Sequence, residues 1–284
     1  MSSPAAPRAC VIGHPIAHSR SPLIHGHWLE ALGIEGGYDK QDVAPEEFAA
    51  FLHGLRGRGY VGANVTVPHK ESAYELVERR DPAAEVIGAV NTVWYEGDTL
   101  CGGNSDAHGF IASLDEYAPG WDVPKARAVV LGAGGAAHAA AFALHARGVA
   151  VAVVNRTMDR ARHLASRFGE GVSARPPSEL SELLAAADLL ANCTSLGMVG
   201  QPPLTVDLAP LKPSAVVCDA VYVPLETGLL SAAAARGHRV VDGLGMLLHQ
   251  AGYGFHKWFG AMPDVTPELR ALIEADIHAK TRKP

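Results

Sequence analysis

Apolar and polar positions along this chain fall into two successive patterns. In the first, Ala9–Ile12 is an apolar run of strand length, Pro22–Leu32 has helical spacing and stops at Gly33, and Tyr38–Val43 reads as a second strand. Pro45 opens a helix predicted to reach about Gly54, because proline's fixed φ and missing N–H suit the first helical turn. Gly62–Val67 is the next strand, and the segment after Pro68 is predicted to be helical to about Arg80. Ala89–Tyr95 and Thr99–Gly102 flank Glu96-Gly97-Asp98, whose turn residues predict a hairpin.

The second pattern follows the Pro- and Gly-bearing segment Pro119–Pro124. Ala126–Leu131, Ala150–Val154, Leu189–Asn192 and Val216–Ala220 are apolar throughout, with Ala139–Arg147 and other helical stretches between them. Strands apolar on both faces and spaced by helices predict a parallel sheet covered on each side. Helices over Gly245–Phe259 and Pro267–His278 close the sequence. The expectation is an α/β protein of two domains, with the C-terminal helices packing back on the first.

Composition narrows the function. The chain has 284 residues, 48% of them hydrophobic, enough to bury a sizeable core. A formal net charge of −6 with no basic block argues against nucleic acid as the main partner. Cys10, Cys101, Cys193 and Cys218 are scattered without a CxxC pair, which predicts small buried hydrophobes in a reducing compartment. The 14 histidines form no HExxH or other standard ligand spacing, so no metal is expected. Met1–Arg8 has no apolar signal core, and no apolar run approaches the roughly 18 residues that span a bilayer. A cytoplasmic protein without a membrane partner is expected.

Gly132-Ala133-Gly134-Gly135-Ala136-Ala137 matches GxGxxA between a strand and a helix. Gly132 allows the tight turn, Gly134 lets backbone approach a pyrophosphate, and Ala137 lets helix and strand pack closely. The helix N-terminus then offers amide hydrogens to phosphate oxygens. At the end of the next strand an NAD site usually carries Asp or Glu. This chain has Asn155-Arg156-Thr157, with Arg160 one turn on. Two guanidiniums and a hydroxyl suit a 2′-phosphate, which points to NADP.

Upstream, Gly62-Ala63-Asn64-Val65-Thr66-Val67-Pro68-His69-Lys70 sets a lysine just past a strand and a proline. A lysine held at such a corner can give or take a proton. These motifs, in their order, resemble the shikimate dehydrogenase family. Gly13-His14-Pro15-Ile16-Ala17-His18-Ser19-Arg20-Ser21-Pro22 resembles its serine-bearing substrate loop, and Gly62–Lys70 its catalytic-lysine motif. Ile87-Gly88-Ala89-Val90-Asn91-Thr92 and Gly103-Asn104-Ser105-Asp106 resemble its asparagine and catalytic-aspartate segments. Asn192-Cys193-Thr194-Ser195-Leu196-Gly197-Met198 and Asp242–Gln250 complete the set.

The resemblance implies a mixed-sheet α/β substrate domain, residues 1–106 completed by 241–284, and a Rossmann-type NADP-binding domain, residues 107–240. It implies reversible reduction of 3-dehydroshikimate to shikimate with NADPH, in a cleft between the domains. Lys70 would be the proton donor and Asp106 its partner on the same hydroxyl. Ser19 and Ser21 would converge on the substrate carboxylate, while Asn64, Thr66, Asn91 and Gln250 take the ring hydroxyls and Tyr222 lines the cleft. Toward NADP stand Gly132, Ala133, Gly134, Gly135, Ala136, Asn155, Arg156, Thr157, Arg160, Thr194, Ser195, Gly243 and Met246. Plainer readings stand beside these: Lys70 as a solvated helix-start residue, Asp106 and Ser21 as helix caps, and Tyr222 and Met246 as core side chains.

Gly26, Ser105, the pair Ala107-His108 and His138 depart from the family pattern, which commonly has asparagine, threonine, a glycine-containing pair and arginine there. Two other readings remain open at this point. One is a quinate/shikimate dehydrogenase paralogue with a different substrate or NAD preference. The other is a non-catalytic NADP-sensing protein, which would need neither Lys70 nor Asp106. A monomer and a homodimer fit equally.

Overall fold

The structure is a computed structural model that describes residues 6–281; Met1–Ala5, most of the segment read above for targeting, lie outside the described residues. Two compact units emerge: the described residues of Met1–Ser105 with Gln250–Ile273, and Asp106–His249 with the described residues of Glu274–Pro284. Among the described residues no helix is long and apolar enough to cross a membrane.

The first unit begins with β1 (Arg8–Gly13), α1 (Ser21–Ala31), β2 (Gly37–Asp42), a single 3₁₀ turn at Pro45–Glu47, α2 (Phe48–His53) and β3 (Tyr60–Val65). It continues with α3 (Lys70–Leu76), β4 (Arg79–Arg80), α4 (Pro82–Ile87), β5 (Thr92–Glu96) and β6 (Thr99–Gly103). Its six strands lie in the order β2-β1-β3-β5-β6-β4. β1 pairs parallel with β2 and β3, whereas β3, β5 and β6 are antiparallel neighbours, so the sheet is mixed. Ile12, Phe48, Leu52, Leu55, Val65, Val90 and Val93 form part of its core.

Several boundaries here differ from the sequence pattern; β3 lies at Tyr60–Val65, not at the expected Gly62–Val67. The helix after Pro68 stops at Leu76, not near Arg80, because Val77 turns extended and Arg79–Arg80 pairs with β6. The Glu78 amide already donates to the Leu100 carbonyl at 3.0 Å. β5 starts at Thr92 and not at Ala89, since α4 occupies Pro82–Ile87 and ends on Gly88 at φ 73°.

The second unit comprises α5 (Asp106–Tyr117), β7 (Arg127–Leu131), α6 (Gly135–Ala146), β8 (Ala150–Val154), α7 (Met158–Ser166) and β9 (Val172–Arg175). Then come α8 (Leu180–Ala186), β10 (Leu189–Asn192), β11 (Val216–Asp219), α9 (Gly228–Ala235) and β12 (Arg239–Val241). All its strands are parallel, in the order β12-β11-β10-β7-β8-β9. The order reverses between β7 and β10, the switch point of a doubly wound Rossmann-type sheet. α6 starts at Gly135, inside the glycine run and ahead of the expected Ala139. α5 was not read from the pattern, although Ala107, Phe110 and Leu114 give it a buried helical face. Two final helices, α10 (Gly243–Phe259) and α11 (Pro267–Thr281), are each divided between the units.

Within the first unit an aromatic group packs α1 and α10 against β2. The His25 ring lies flat on Tyr38, with centroids 4.0 Å apart, and contacts Trp28, Phe255 and Trp258. Burial in this apolar slot lowers the imidazole pKa from 6.5 to about 3. His25 is therefore neutral in the folded protein, while the unfolded chain binds its proton below about pH 6.5. The stabilisation is complete above that pH and is lost as pH falls toward 3, by up to ~1.4 kcal/mol per pH unit for one group. His69 and His108 are displaced in the same direction by burial. The urea midpoint is thus expected to be flat from pH 8 to 6.5 and to fall below it. His25→Phe, which fills the same slot, should remove about one proton from that slope.

Candidate active site

The Lys70 corner is set by backbone and by one histidine. Beyond β3 the Thr66 amide donates to Ile12 O at 2.9 Å, and the His14 amide to Val67 O at 3.1 Å. The chain passes through a cis Val67–Pro68 peptide into α3. His69 is buried, its ring stacks on Phe48 at 4.3 Å, and its Nε2 meets the Val43 carbonyl at 2.7 Å. Lys70 is the first residue of α3, half-buried, and its carbonyl accepts the Val90 amide at 2.9 Å. The lysine is thus held from both sides of its own peptide. His69 was missed in the sequence because its work is packing, which has no spacing signature.

The predicted substrate side chains of this unit are largely joined by hydrogen bonds. Asn91 Oδ1 accepts the Ser105 amide and the Thr92 hydroxyl, each at 2.9 Å, and its Nδ2 donates to Ser105 Oγ at 3.1 Å. Ser105 Oγ lies 3.3 Å from Gln250 Oε1. The Asn64 amide donates to Thr92 Oγ1 at 3.2 Å and to Asn91 O at 3.4 Å. Asn64, Asn91, Thr92 and Ser105 are all buried. Ser19 and Ser21 sit together, Oγ to Oγ 3.3 Å. Ser21 is not the cap of α1: the helix already includes it and the N-cap is Arg20. Ser19 Oγ instead accepts the Ser21 amide at the helix start at 3.3 Å. Thr66, half-buried, follows β3 directly.

In the second unit the remaining positions gather at the C-terminal ends of the strands. Asp106 is buried in the first turn of α5, where the positive helix end favours a carboxylate. After β7, Gly132 adopts φ 109°, and a Cβ there would lie 3.0 Å from Cys193 O beyond β10. Gly134 is the N-cap of α6 and no side chain caps that helix. Gly134 and Gly135 are exposed, and a Cβ on either would meet no protein atom within 4 Å. After β8, Asn155 Nδ2 closes the turn onto Thr157 O at 2.9 Å. Thr157 is the N-cap of α7 without using its hydroxyl, and Arg156, Thr157 and Arg160 are exposed. An uncapped helix end and two solvent-facing arginines fit the pyrophosphate and 2′-phosphate of NADP.

A buried pair that sequence reading overlooked ties the switch point together. Asn192 Nδ2 donates to Asp219 Oδ1 at 2.8 Å and to Leu196 O at 3.2 Å. Asn192 Oδ1 accepts the Thr194 amide and hydroxyl at 3.0 and 2.7 Å. Asp219 also accepts the Val221 amide at 2.9 Å and the Thr227 hydroxyl at 2.7 Å. Burial raises the Asp219 pKa, with those hydrogen bonds opposing it. The pair shapes the loops carrying Thr194, Ser195 and Tyr222, and Thr194 spends its hydroxyl inside its own turn. Gly243 is a packing glycine, since a Cβ would come within 2.4 Å of Ala220 O. Met246 lines a small cavity with Phe110, Leu114 and Asp219.

A doubly wound parallel sheet with a glycine turn and an uncapped helix at its switch point, in one chain with a mixed-sheet unit, defines a two-unit dinucleotide-binding α/β protein. Shikimate dehydrogenase (NADP(+)) of Mesorhizobium japonicum is 57% identical over 277 residues, covering 97% of this chain and 99% of its own. This chain belongs to the shikimate dehydrogenase family. Residues 11–93 match the family's substrate binding domain, and residues 117–198 match the model described as Shikimate / quinate 5-dehydrogenase. The enzyme of the same name from Rhodopseudomonas palustris is 58% identical over 273 residues, 96% of this chain and 98% of that one. The solved structure of shikimate 5-dehydrogenase from Thermus thermophilus, in complex with NADP(H) and shikimate, is 38% identical with a TM-score of 0.83, over 96% and 99% of the two chains. Quinate dehydrogenase from Corynebacterium glutamicum, in complex with NAD, is 30% identical with a TM-score of 0.88, over 95% and 99%.

The two glycines of the turn are expected to respond differently to a methyl group. Gly132→Ala should destabilise the fold by about 1–3 kcal/mol, because both φ and the Cys193 carbonyl oppose a Cβ. Gly134→Ala should leave stability within about 1 kcal/mol, since protein atoms leave it room. It should nevertheless weaken NADPH binding about tenfold or more if the glycine turn holds the pyrophosphate as the fold expects, since the methyl group would then occupy that space. Thermal denaturation and NADPH fluorescence titration of both variants check this.

Proposed function

We propose that this chain catalyses the reversible, NADP-dependent reduction of 3-dehydroshikimate to shikimate. The observation that carries the reading is 57% identity over nearly the whole chain to a relative named Shikimate dehydrogenase (NADP(+)), together with Lys70 held at a rigid corner. The quinate dehydrogenase match is at 30% identity, which favours shikimate over quinate. A non-catalytic sensor would need neither Lys70 nor Asp106, and both are present.

The first unit is then the substrate domain and the second the NADP domain. When bound, NADPH supplies the hydride that reduces the ring ketone. Lys70 Nζ gives a proton to the ring oxygen as negative charge builds there, and takes it back in the oxidation direction. Asp106 holds the same hydroxyl and orients the lysine. Ser19 and Ser21 bind the carboxylate through their hydroxyls, and Asn64, Thr66, Asn91 and Gln250 position the ring hydroxyls. A site of directional polar partners rejects an analogue that lacks a hydroxyl, because its own groups are left unpaired. Arg156, Thr157 and Arg160 receive the 2′-phosphate, and the amides at the start of α6 receive the pyrophosphate.

The test is nicotinamide absorbance with shikimate or quinate against NADP or NAD. Rapid turnover is expected for shikimate with NADP alone. Lys70→Ala should lower kcat about 10²–10⁴-fold while NADPH still binds. Arg156→Ala should raise the KM for NADP about tenfold and leave that for NAD unmoved. Preference for quinate or NAD would overturn the substrate or cofactor assignment. Silence in all four mixtures, with NADPH binding intact, would revive the sensor.

A further inference from the structure

The side chains of the first unit form a longer chain of hydrogen bonds than the substrate residues alone would make. The Tyr38 hydroxyl donates to Asn64 Oδ1 at 2.6 Å. From Asn64 the series runs on through its Nδ2 to Thr92 Oγ1, from Thr92 Oγ1 to Asn91 Oδ1, from Asn91 Nδ2 to Ser105 Oγ, and on to Gln250 Oε1.

Donor counting gives the series one direction. A hydroxyl has a single proton, and an amide oxygen has two acceptor positions. Asn91 Oδ1 already accepts the Ser105 amide and the Thr92 hydroxyl. The Ser105 proton is therefore best used on Gln250 Oε1, while Ser105 Oγ accepts from Asn91 Nδ2. Both hydrogens of the Asn64 amide are committed, to Thr92 and to the Asn91 carbonyl, so its oxygen is turned to Tyr38. Tyr38 is itself locked in place, its ring flat against His25 and near Trp258. Burial raises its phenol pKa well above the usual value, which keeps it a donor.

We propose that Tyr38, Thr92 and Ser105 are positioning residues: they join Asn64, Asn91 and Gln250 into one oriented hydrogen-bond chain that fixes which atoms face the substrate. This rests on the assignment of those three side chains to shikimate. Ser105 supplies the hydroxyl at the far end of the series.

Tyr38→Phe removes one oxygen and keeps the ring. It is expected to raise the KM for shikimate about three- to tenfold, the effect of one lost hydrogen bond, with kcat and the KM for NADP within about twofold. Ser105→Ala and Thr92→Val, at the far end and the middle, should show the same split, and Thr92→Ser should restore the wild-type KM. A purely structural role would lower the melting temperature and move all three constants together, or none of them. If Tyr38→Phe fails to fold, Ser105→Ala carries the test. An active wild type whose shikimate KM is unmoved by Tyr38→Phe and Ser105→Ala overturns the inference alone. A wild type that does not oxidise shikimate overturns the assignment on which it rests.

Discussion

Asn91 is the hinge of the first unit's polar interior. A buried amide must find partners for both its oxygen and its nitrogen, or it costs about 1–3 kcal/mol per group left unmade. Asn91 satisfies that demand by binding its neighbour Thr92 at the start of β5 and by tying two segments remote in sequence: Ser105 after β6 and, through its backbone carbonyl, Val65 and Asn64 of β3. The Val65 amide donates to that carbonyl at 2.8 Å, and the Asn91 amide donates to Gly103 O at 2.9 Å. The neighbouring Val90 amide binds the Lys70 carbonyl. The position of the proposed proton donor, the ends of two strands and the approach to Asp106 therefore share one set of bonds. A fully satisfied buried network of this kind specifies a single arrangement of its groups.

The second unit solves a related problem at its switch point. Parallel strands end in loops that diverge, and a dinucleotide site needs those loops at fixed heights. The Asn192–Asp219 pair holds the ends of β10 and β11 together from inside and hands its remaining bonds to the two loops beyond. Gly132 brings the end of β7 against the Cys193 carbonyl. None of these groups needs to touch a ligand. They leave the start of α6 and the arginines after β8 facing solvent while the ground beneath them is rigid.

Much of this was readable in the sequence, and the residues show why. The strands of the second unit are apolar throughout because helices cover both faces, and Ala150–Val154 and Leu189–Asn192 appear as strands with those same limits. The glycine turn and Asn155-Arg156-Thr157 were legible because each residue type meets a local requirement of backbone or charge. The Lys70 corner was legible from the proline before it, whereas Asp106 was marked only by the resemblance to a family motif. By contrast, the helix expected to reach Arg80 ended at Leu76 because a strand 20 or so residues later in the chain offered pairing to Arg79–Arg80. Ser21 looked like a helix cap until the helix was seen to begin on it.

What the sequence by itself determined, then, was the order of elements, the cofactor-binding turn and the chemical groups available. Those follow from interactions between residues a few positions apart. Only the tertiary structure decided how the side chains of Tyr38, His69, Thr92, Asn192 and Asp219 are partnered. Their partners lie on other segments: Asn64 for Tyr38, Val43 and Phe48 for His69, Asn64 for Thr92, and Asn192 for Asp219. A hydrogen bond between side chains far apart in sequence leaves no periodicity behind, because it depends on distance and angle after folding and not on spacing along the chain.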